Sequence, residues 1–266
     1  MISTEVNEAV SNGAASNGAV SNAAGGTSVH LILQGKGGIG KSVIASWLAE
    51  YLRQQGQPVH CVDGDPVNRS LAQYKGLKAE KLDLINEGGV IVRTRYDNLL
   101  ERFATEKGAF VVDSGATAFL PLWSYIVETE MIRVLREAGR KVYVHCVISG
   151  GEMLNDSLLG FDTLAASTPD RNMVVWINEY FGSVARDGKT FDQMNVFQKH
   201  AEKVLGSVGI PQRSPDTFGA SVLYMREKKL TFDEAIHSKD LLLAQKSRLE
   251  IVRRDLFEQL DKLELV

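Results

Sequence analysis

The sequence has few of the features that mark secreted, membrane-spanning or broadly basic proteins. Its 266 residues include only two cysteines, Cys61 and Cys146, each within an apolar run, so buried reduced thiols are expected rather than a disulfide framework. No apolar stretch approaches the roughly 18 residues of a membrane span, and the N-terminus lacks the regions of a signal peptide, so we expect a cytoplasmic protein. A net charge of −3 argues against a surface that is basic throughout, while leaving room for a local basic patch. The histidines show neither H-x-x-x-H nor mixed Cys/His spacing, so no zinc site is predicted.

The chain divides into a low-complexity tail and one long region of alternating patterns. Residues 1–28 contain two charged residues, no aromatic residue and the near-repeat SNGAA, SNGAV, SNAAG, which predicts a disordered tail. Over residues 29–266, apolar runs typical of strands buried on both faces alternate with helical patterns. This order predicts a single α/β domain, a doubly wound, mainly parallel sheet flanked by helices. The predicted strands are 29–34, 58–62, 109–113, 142–148, 173–178 and 207–210, and the predicted helices are 42–55, 95–107, 124–139, 152–168, 191–205 and 240–263.

A glycine-rich loop joins the first predicted strand to the first predicted helix. Residues 35–42 read GKGGIGKS, which fits the phosphate-binding pattern G-x-x-x-x-G-K-[ST]. The glycines let the backbone wrap closely around phosphates, and the helix start adds the positive end of its dipole. Lys41 is expected to neutralise the β- and γ-phosphates and Ser42 to ligate Mg²⁺. The residues of this loop predicted to bind ATP or ADP are Gly35, Lys36, Gly37, Gly38, Ile39, Gly40, Lys41, Ser42 and Val43.

Carboxylates follow the next two predicted strands. Asp63 and Asp65 come directly after the second strand, and Asp113 ends the apolar run AFVVD. Because the carboxyl ends of parallel strands lie at one edge of a sheet, these groups are predicted to lie beside the phosphate loop. Asp113 is placed like a residue that supports Mg²⁺ through water. The alternative interpretation of the segment DGDP is a turn, since aspartate, glycine and proline all favour turns.

Residues 36–42, KGGIGKS, resemble the deviant phosphate loop of the ParA/MinD family of ATPases. The resemblance implies a nucleotide-dependent homodimer in which Lys36 reaches the phosphates bound by the partner subunit. Lys36 would then be catalytic, because a cation delivered in trans stabilises transition-state charge as an arginine finger does. The resemblance further implies that Asp65 orients the attacking water and that Asp63 lies near the water shell of the metal.

Two later segments resemble the base-binding part of the same family. Asn178 ends the apolar run VVWIN and is similar to the asparagine that reads the adenine edge, a task that suits an amide because it both donates and accepts. An asparagine after a strand is also a common turn residue. The pair Ile210 and Pro211 resembles the segment that closes over the base. Residues 114–117 correspond to the second switch, a loop that senses the γ-phosphate.

A more specific resemblance runs from about residue 29 to the C-terminus. The segments LQGKGGIGKS, DPVN, VVDSGATAFLPL, VVWINEYFG, LTFDEAI and IVRRDLFEQLD are similar to those of a family branch found in the DNA-transfer gene sets of broad-host-range plasmids. This resemblance implies a role in conjugation, with another transfer protein as a candidate partner. Three alternatives stay open: a ParA-like partition ATPase that binds DNA, an ATP-gated adaptor with little turnover, and a small-molecule synthetase on the same fold.

The C-terminal third carries an apolar helical stripe and a small basic cluster. The helix has balanced charge, so it is predicted to pack on the protein body or on a partner rather than on lipid. Arg226, Lys228 and Lys229 form the compact basic cluster, which is interpreted as a solvated face. The stripe consists of Leu249, Val252, Leu256, Leu260 and Leu263.

Overall fold

A computed structural model describes residues 27–265, so the predicted tail over residues 1–28 lies almost wholly outside the described residues. A seven-stranded sheet with the order β3-β2-β4-β1-β5-β6-β9 runs through the described part of the chain, and all of its strand pairs are parallel. Strands β7 and β8 form a separate antiparallel hairpin. The strands are β1 (Ser28–Ile32), β2 (Val59–Asp63), β3 (Glu80–Lys81), β4 (Ala109–Asp113), β5 (Lys141–Ser149), β6 (Met173–Asn178), β7 (Ala185–Arg186), β8 (Lys189–Thr190) and β9 (Val204–Ile210).

Helices cover both faces of this sheet, which confirms the predicted doubly wound α/β fold. Two hydrophobic clusters, one on each face, form the core. Helices α2 to α5 pack mainly into one cluster, and α1 with α7 to α9 packs into the other. The helices are α1 (Lys41–Gln54), α2 (Arg95–Thr105), α3 (Ala116–Glu128), α4 (Met131–Glu137), α5 (Leu154–Ala165), α6 (Asn195–Lys199), α7 (Ala220–Glu227), α8 (Phe232–His237) and α9 (Leu243–Asp261).

All six predicted strands are present with small shifts at their ends, but two predicted helices are wrong. The pattern over 124–139 belongs to two helices, since Glu130 adopts a left-handed φ of 48° and separates α3 from α4. Over 191–205 the structure has short 3₁₀ turns around α6, and β9 already begins at Val204. Phe191 and Met194 are buried there, and the three-residue spacing of a 3₁₀ turn imitates the helical period.

The predicted packing of the C-terminal helix on the body of the protein is confirmed. Helix α1 buries Ile44, Trp47 and Leu48 in the hydrophobic cluster that it shares with α7 to α9. Helix α9 buries Leu249 and Leu260 in the same cluster, so this helix packs on the body of the protein. Leu263, the last residue of the predicted stripe, lies beyond the end of α9 and is half-buried. Both cysteines are buried free thiols, as predicted. None of the helices within residues 27–265 combines the length and apolar character needed to cross a bilayer.

The topology brings the predicted site residues to one edge of the sheet. Strand β1 lies in the centre, between β4 and β5, and the chain crosses from one half of the sheet to the other after β4. In open α/β sheets, ligands bind outside the carboxyl ends of the strands at such a switch point. The loop after β1 and the ends of β2 and β4 therefore meet where a ligand is expected.

Candidate nucleotide site

The phosphate loop leads from the buried strand β1 directly into α1. Gly38 and Gly40 adopt φ values of 78° and 100°, a left-handed backbone conformation that glycine adopts without steric cost. Lys41 is buried, and its Nζ donates to the Lys36 carbonyl at 2.7 Å, so the lysine is folded back into its own loop. Burial lowers the pKa of Lys41, while the carboxylates of Asp113 and Asp65 act in the opposite direction.

Asp113 ends β4 beside the loop and is buried completely. Burial raises the pKa of its carboxyl to about 7, against the effects of a hydrogen bond from Ser42 and the charge of Lys41. Within the described part of the chain, Asp113 Oδ1 has no hydrogen-bond partner. A buried carboxylate oxygen without a partner fits a cation or a metal-bound water, because either would supply the missing interaction. The residues present therefore fit Mg²⁺ at Ser42 and Asp113.

Asp63 lies next to Asp113 across the β2–β4 pair and holds the following loop by its backbone. Its Oδ1 accepts the Asp65 N–H at 3.0 Å and its Oδ2 accepts the Ala72 N–H at 2.8 Å. Burial raises the pKa of Asp63, and these two hydrogen bonds act in the opposite direction. Each oxygen keeps acceptor capacity for water, so the predicted position near the metal's water shell stays a prediction.

Asp65 is held more tightly, by three hydrogen bonds. Its Oδ1 accepts the backbone N–H groups of Val67 and Asn68, and its Oδ2 accepts Asn68 Nδ2 at 3.1 Å. Burial alone would raise the pKa of Asp65, but the hydrogen bonds from Asn68 and Val67 outweigh it and lower the pKa. The carboxylate lies against Gly115, where a Cβ would come within 2.4 Å of the Asp65 carboxyl carbon. Asp65 is thus a fixed, ionised acceptor.

A cavity of about 310 Å³ joins these groups into one site. It lies between the phosphate loop, the ends of β2 and β4, and the end of α7. Within residues 27–265, His, Cys, Asp and Glu side chains form no group of three or more that could hold a metal ion. Mg²⁺ would therefore take most of its ligands from water and from phosphate, which is usual for this ion. The cavity is lined by Lys41, Ser42, Asp65, Asn68, Asp113, Gly115, Arg226 and Lys229, among others.

Lys36 points away from this cavity. Its Nζ lies 2.6 Å from Asp156 Oδ2 on α5, and the two side chains are 40% and 55% exposed. A second cavity, of about 330 Å³, lies around Lys36 between α3 and α5. Leu120 and Leu159 line that cavity and are 60% and 67% exposed. The second loop lysine therefore lies at the surface, beside exposed apolar side chains.

Asn178 and Pro211 lie at apolar cavities on the other side of the loop. Asn178 Nδ2 donates to the Ile39 carbonyl at 3.0 Å, and its Oδ1 accepts the Tyr180 N–H at 3.1 Å. One amide hydrogen and one lone pair remain for a ligand. Pro211 lines a cavity of about 280 Å³ together with Tyr180, next to the smaller cavity that contains Asn178.

Two residues of the site were not predicted from the sequence. Lys228 is exposed, as a solvated face requires. Arg226 and Lys229 are half-buried and line the 310 Å³ cavity beside the phosphate loop, called the phosphate cavity below. The sequence interpretation of the cluster is therefore wrong for these two side chains. The signal in the sequence was a compact basic cluster in a chain of nearly balanced charge, and this does not indicate whether the cluster lies near the nucleotide site.

The phosphate loop between β1 and α1, with carboxylates at the ends of β2 and β4, defines a P-loop nucleotide-binding protein. The ParA family profile, described as NUBPL iron-transfer P-loop NTPase, matches residues 27–99. Two Escherichia coli proteins, each named Protein TraL, are 38% and 36% identical over 234 residues, and the alignments cover 88% of this chain and 97% of each relative. The chain belongs to the TraL family of ParA-type P-loop ATPases. The MinD cell division protein of Aquifex aeolicus aligns with 85% of this chain and 96% of its own at 15% identity and a TM-score of 0.49.

Proposed function

We propose that this chain is a Mg²⁺-dependent switch ATPase that dimerises on ATP and acts in the cytoplasm in plasmid conjugal DNA transfer. The observation that carries the proposal is the second loop lysine, Lys36, at the surface beside a complete set of nucleotide-binding residues. Membership of the TraL family supports the conjugative role that the sequence resemblance implies. ATP brings two subunits together, a transfer protein binds the resulting dimer, and slow hydrolysis of ATP lets the subunits separate.

The nucleotide-binding residues have separate tasks in this proposal. Lys41 and the loop N–H groups bind the β- and γ-phosphates, and Ser42 with Asp113 holds Mg²⁺. The metal, when bound, offsets phosphate charge. Asp65 orients the attacking water, since its carboxylate is ionised, fixed and open to the same cavity. Asn178 contacts the adenine edge with its remaining donor and acceptor.

The surroundings of Lys36 support the dimer. An ion pair between side chains that are 40% and 55% exposed is worth at most about 1 kcal/mol, so Lys36 leaves Asp156 at little cost. Leu120 and Leu159 add apolar surface beside the lysine, which an approaching subunit would bury. The face that presents Lys36 is therefore suited to contact with a second copy.

The proposal is tested by light-scattering mass in Mg²⁺ with no nucleotide, with ADP and with a slowly hydrolysed ATP analogue. We expect a monomer that doubles in mass only with the ATP analogue. Lys36→Ala should bind the analogue and stay monomeric, whereas Lys203→Ala, which removes a lysine from the exposed ion pair with Asp170, should dimerise normally. A mass that does not respond to nucleotide would contradict the dimer and favour the ATP-gated adaptor. Hydrolysis that persists in Asp65→Ala would contradict the assigned role of Asp65.

A further inference from the structure

Helix α7 ends over the nucleotide site with two basic side chains. Arg226 lines the phosphate cavity and also the adjoining small cavity that contains Asn178. Its guanidinium carbon lies 5.1 Å from the centre of the Tyr180 ring. Lys229 lines the phosphate cavity too, with its Nζ 5.6 Å from the centre of the buried Tyr74 ring. Both cations therefore rest on aromatic faces at the entrance of the site.

Within one subunit, the phosphate loop supplies too little positive charge to balance the carboxylates and phosphates at the site. The buried carboxyl groups of Asp65 and Asp113 line the cavity, as does the exposed Glu227, and a nucleoside triphosphate adds further negative charge. Of the two loop lysines, Lys41 faces this charge, while Lys36 is held on Asp156 outside the cavity. One lysine and one Mg²⁺ would face several anionic groups in a half-buried space, where charge is screened less than in water.

We propose that Arg226 and Lys229 form a cationic arm that binds the phosphates of the nucleotide in the same subunit. The proposal deepens the proposed ATP-binding function and rests on it. Arg226 leaves the face of Tyr180 and donates to phosphate oxygens, because a charge-assisted, forked hydrogen bond to phosphate is stronger than a cation–π contact at a half-exposed site. Its place between the two cavities puts it near the phosphates closest to the base, and Lys229, which lines the phosphate cavity but not the smaller one, is assigned to the remaining phosphates.

The backbone of Lys229 offers a variant that separates the charge of the side chain from its effect on the fold. This residue follows the end of α7 with a left-handed φ of 54°, in the turn where the Leu230 N–H donates to the Met225 carbonyl at 3.0 Å. Glycine is the usual residue at such a helix end, because other residues are strained there. Lys229→Gly removes the cation and relieves the strain together, so its effects on stability and on phosphate binding have opposite signs.

The test measures the affinity of the purified protein for a slowly hydrolysed ATP analogue and for AMP, with Mg²⁺, in three variants. Arg226→Gln should weaken binding of the ATP analogue about tenfold or more, and weaken binding of AMP less. Arg226→Lys should restore part of the loss. Lys229→Gly should weaken analogue binding while its melting temperature without nucleotide stays the same or rises. Lys228→Gln is the matched control, because this neighbouring lysine is exposed and should bind as the wild type does.

Wild-type affinity for the ATP analogue in both Arg226→Gln and Lys229→Gly would overturn the arm. So would an equal loss for the analogue and for AMP, since that would make Arg226 a base contact. If Arg226→Gln does not fold, Lys229→Gly decides by itself. Failure of the arm is distinct from failure of the proposed function. In the first case the wild type binds the analogue and Lys41→Ala does not, and in the second the wild type itself does not bind.

Discussion

A chain of buried histidine contacts should make this fold sensitive to acid. His30 on β1 and His145 on β5 are fully buried, with His30 Nδ1 at 3.0 Å from His145 Nε2. The Trp176 indole N–H donates to His145 Nδ1 at 3.0 Å, and indole is a donor only. His145 therefore carries its hydrogen on Nε2 and donates to His30, and His30 donates from Nε2 to Ser28 Oγ at 2.9 Å. A proton added to His30 Nδ1 would face another donor.

Burial lowers the pKa of His30 from 6.5 to about 3, so the folded state holds this ring neutral. Between pH 6.5 and 3 the unfolded chain binds the proton and the folded chain does not. This contribution to stability is complete above pH 6.5 and is lost as the pH falls towards 3, by about 1.4 kcal/mol per pH unit. From pH 7 to pH 5 the loss from His30 is about 2 kcal/mol. The raised pKa values of Asp63, Asp113 and Glu50 act in the opposite direction.

Urea unfolding of wild type and His30→Gln at pH 7 and pH 5 isolates His30. The carboxyl groups contribute in both proteins, and so does His145, whose pKa burial lowers well below 6.5. The variant should be less stable at pH 7, since it loses the contacts with His145 and Tyr143. Its free energy of unfolding should nevertheless fall by about 2 kcal/mol less than that of the wild type between the two pH values. An equal fall in wild type and His30→Gln would refute the reasoning.

Two further predictions concern the nucleotide site. Asp156→Ala frees Lys36 from an exposed ion pair. In light-scattering titrations, the ATP-analogue concentration needed for dimerisation should therefore fall by up to about fivefold. The control Asp170→Ala, which breaks another surface ion pair, should leave that concentration unchanged. Gly115→Ala places a Cβ at 2.4 Å from the Asp65 carboxyl, so ATP turnover should fall about tenfold or more while analogue binding changes little; a variant with wild-type turnover would show that the position of Asp65 is not critical.

The sequence predicted the central sheet because its strands are covered on both faces. Such strands leave continuous apolar runs, and all six predicted strands are present. The pattern could not indicate β3, whose two residues, Glu80 and Lys81, are exposed at the sheet edge and look like any polar loop. The predicted start of helix α3, at residue 124, was too late because a proline hid its first turns. It begins at Ala116 and continues through Pro121, a residue that usually ends a helix, because Phe119 and Leu122 on either side of it are buried.

Some residues of the site could be predicted from local sequence patterns, whereas others reach it only through contacts between distant parts of the chain. The phosphate loop was predictable because its function depends on a short stretch of backbone, and the strand before it and the helix after it are visible in the sequence. Asp65 and Asp113 were predictable because parallel strands end at one edge. Arg226 and Lys229 were not, because only the packing of α7 against the segment after β6 brings them to the cavity. No local pattern separates them from their exposed neighbour Lys228.

The positions of the two loop lysines make binding and dimerisation separable under the proposed function. Lys41 is buried with its Nζ on the Lys36 carbonyl, so it can serve only the phosphates of its own subunit. Lys36 is 40% exposed on a weak surface ion pair, so it is free to leave its subunit. Lys41→Ala should therefore abolish both nucleotide binding and nucleotide-dependent dimerisation, whereas Lys36→Ala should abolish the second alone. If the two variants lost ATP-analogue binding to the same extent, Lys36 would belong to its own subunit's site, and the trans role that its exposure favours would be wrong.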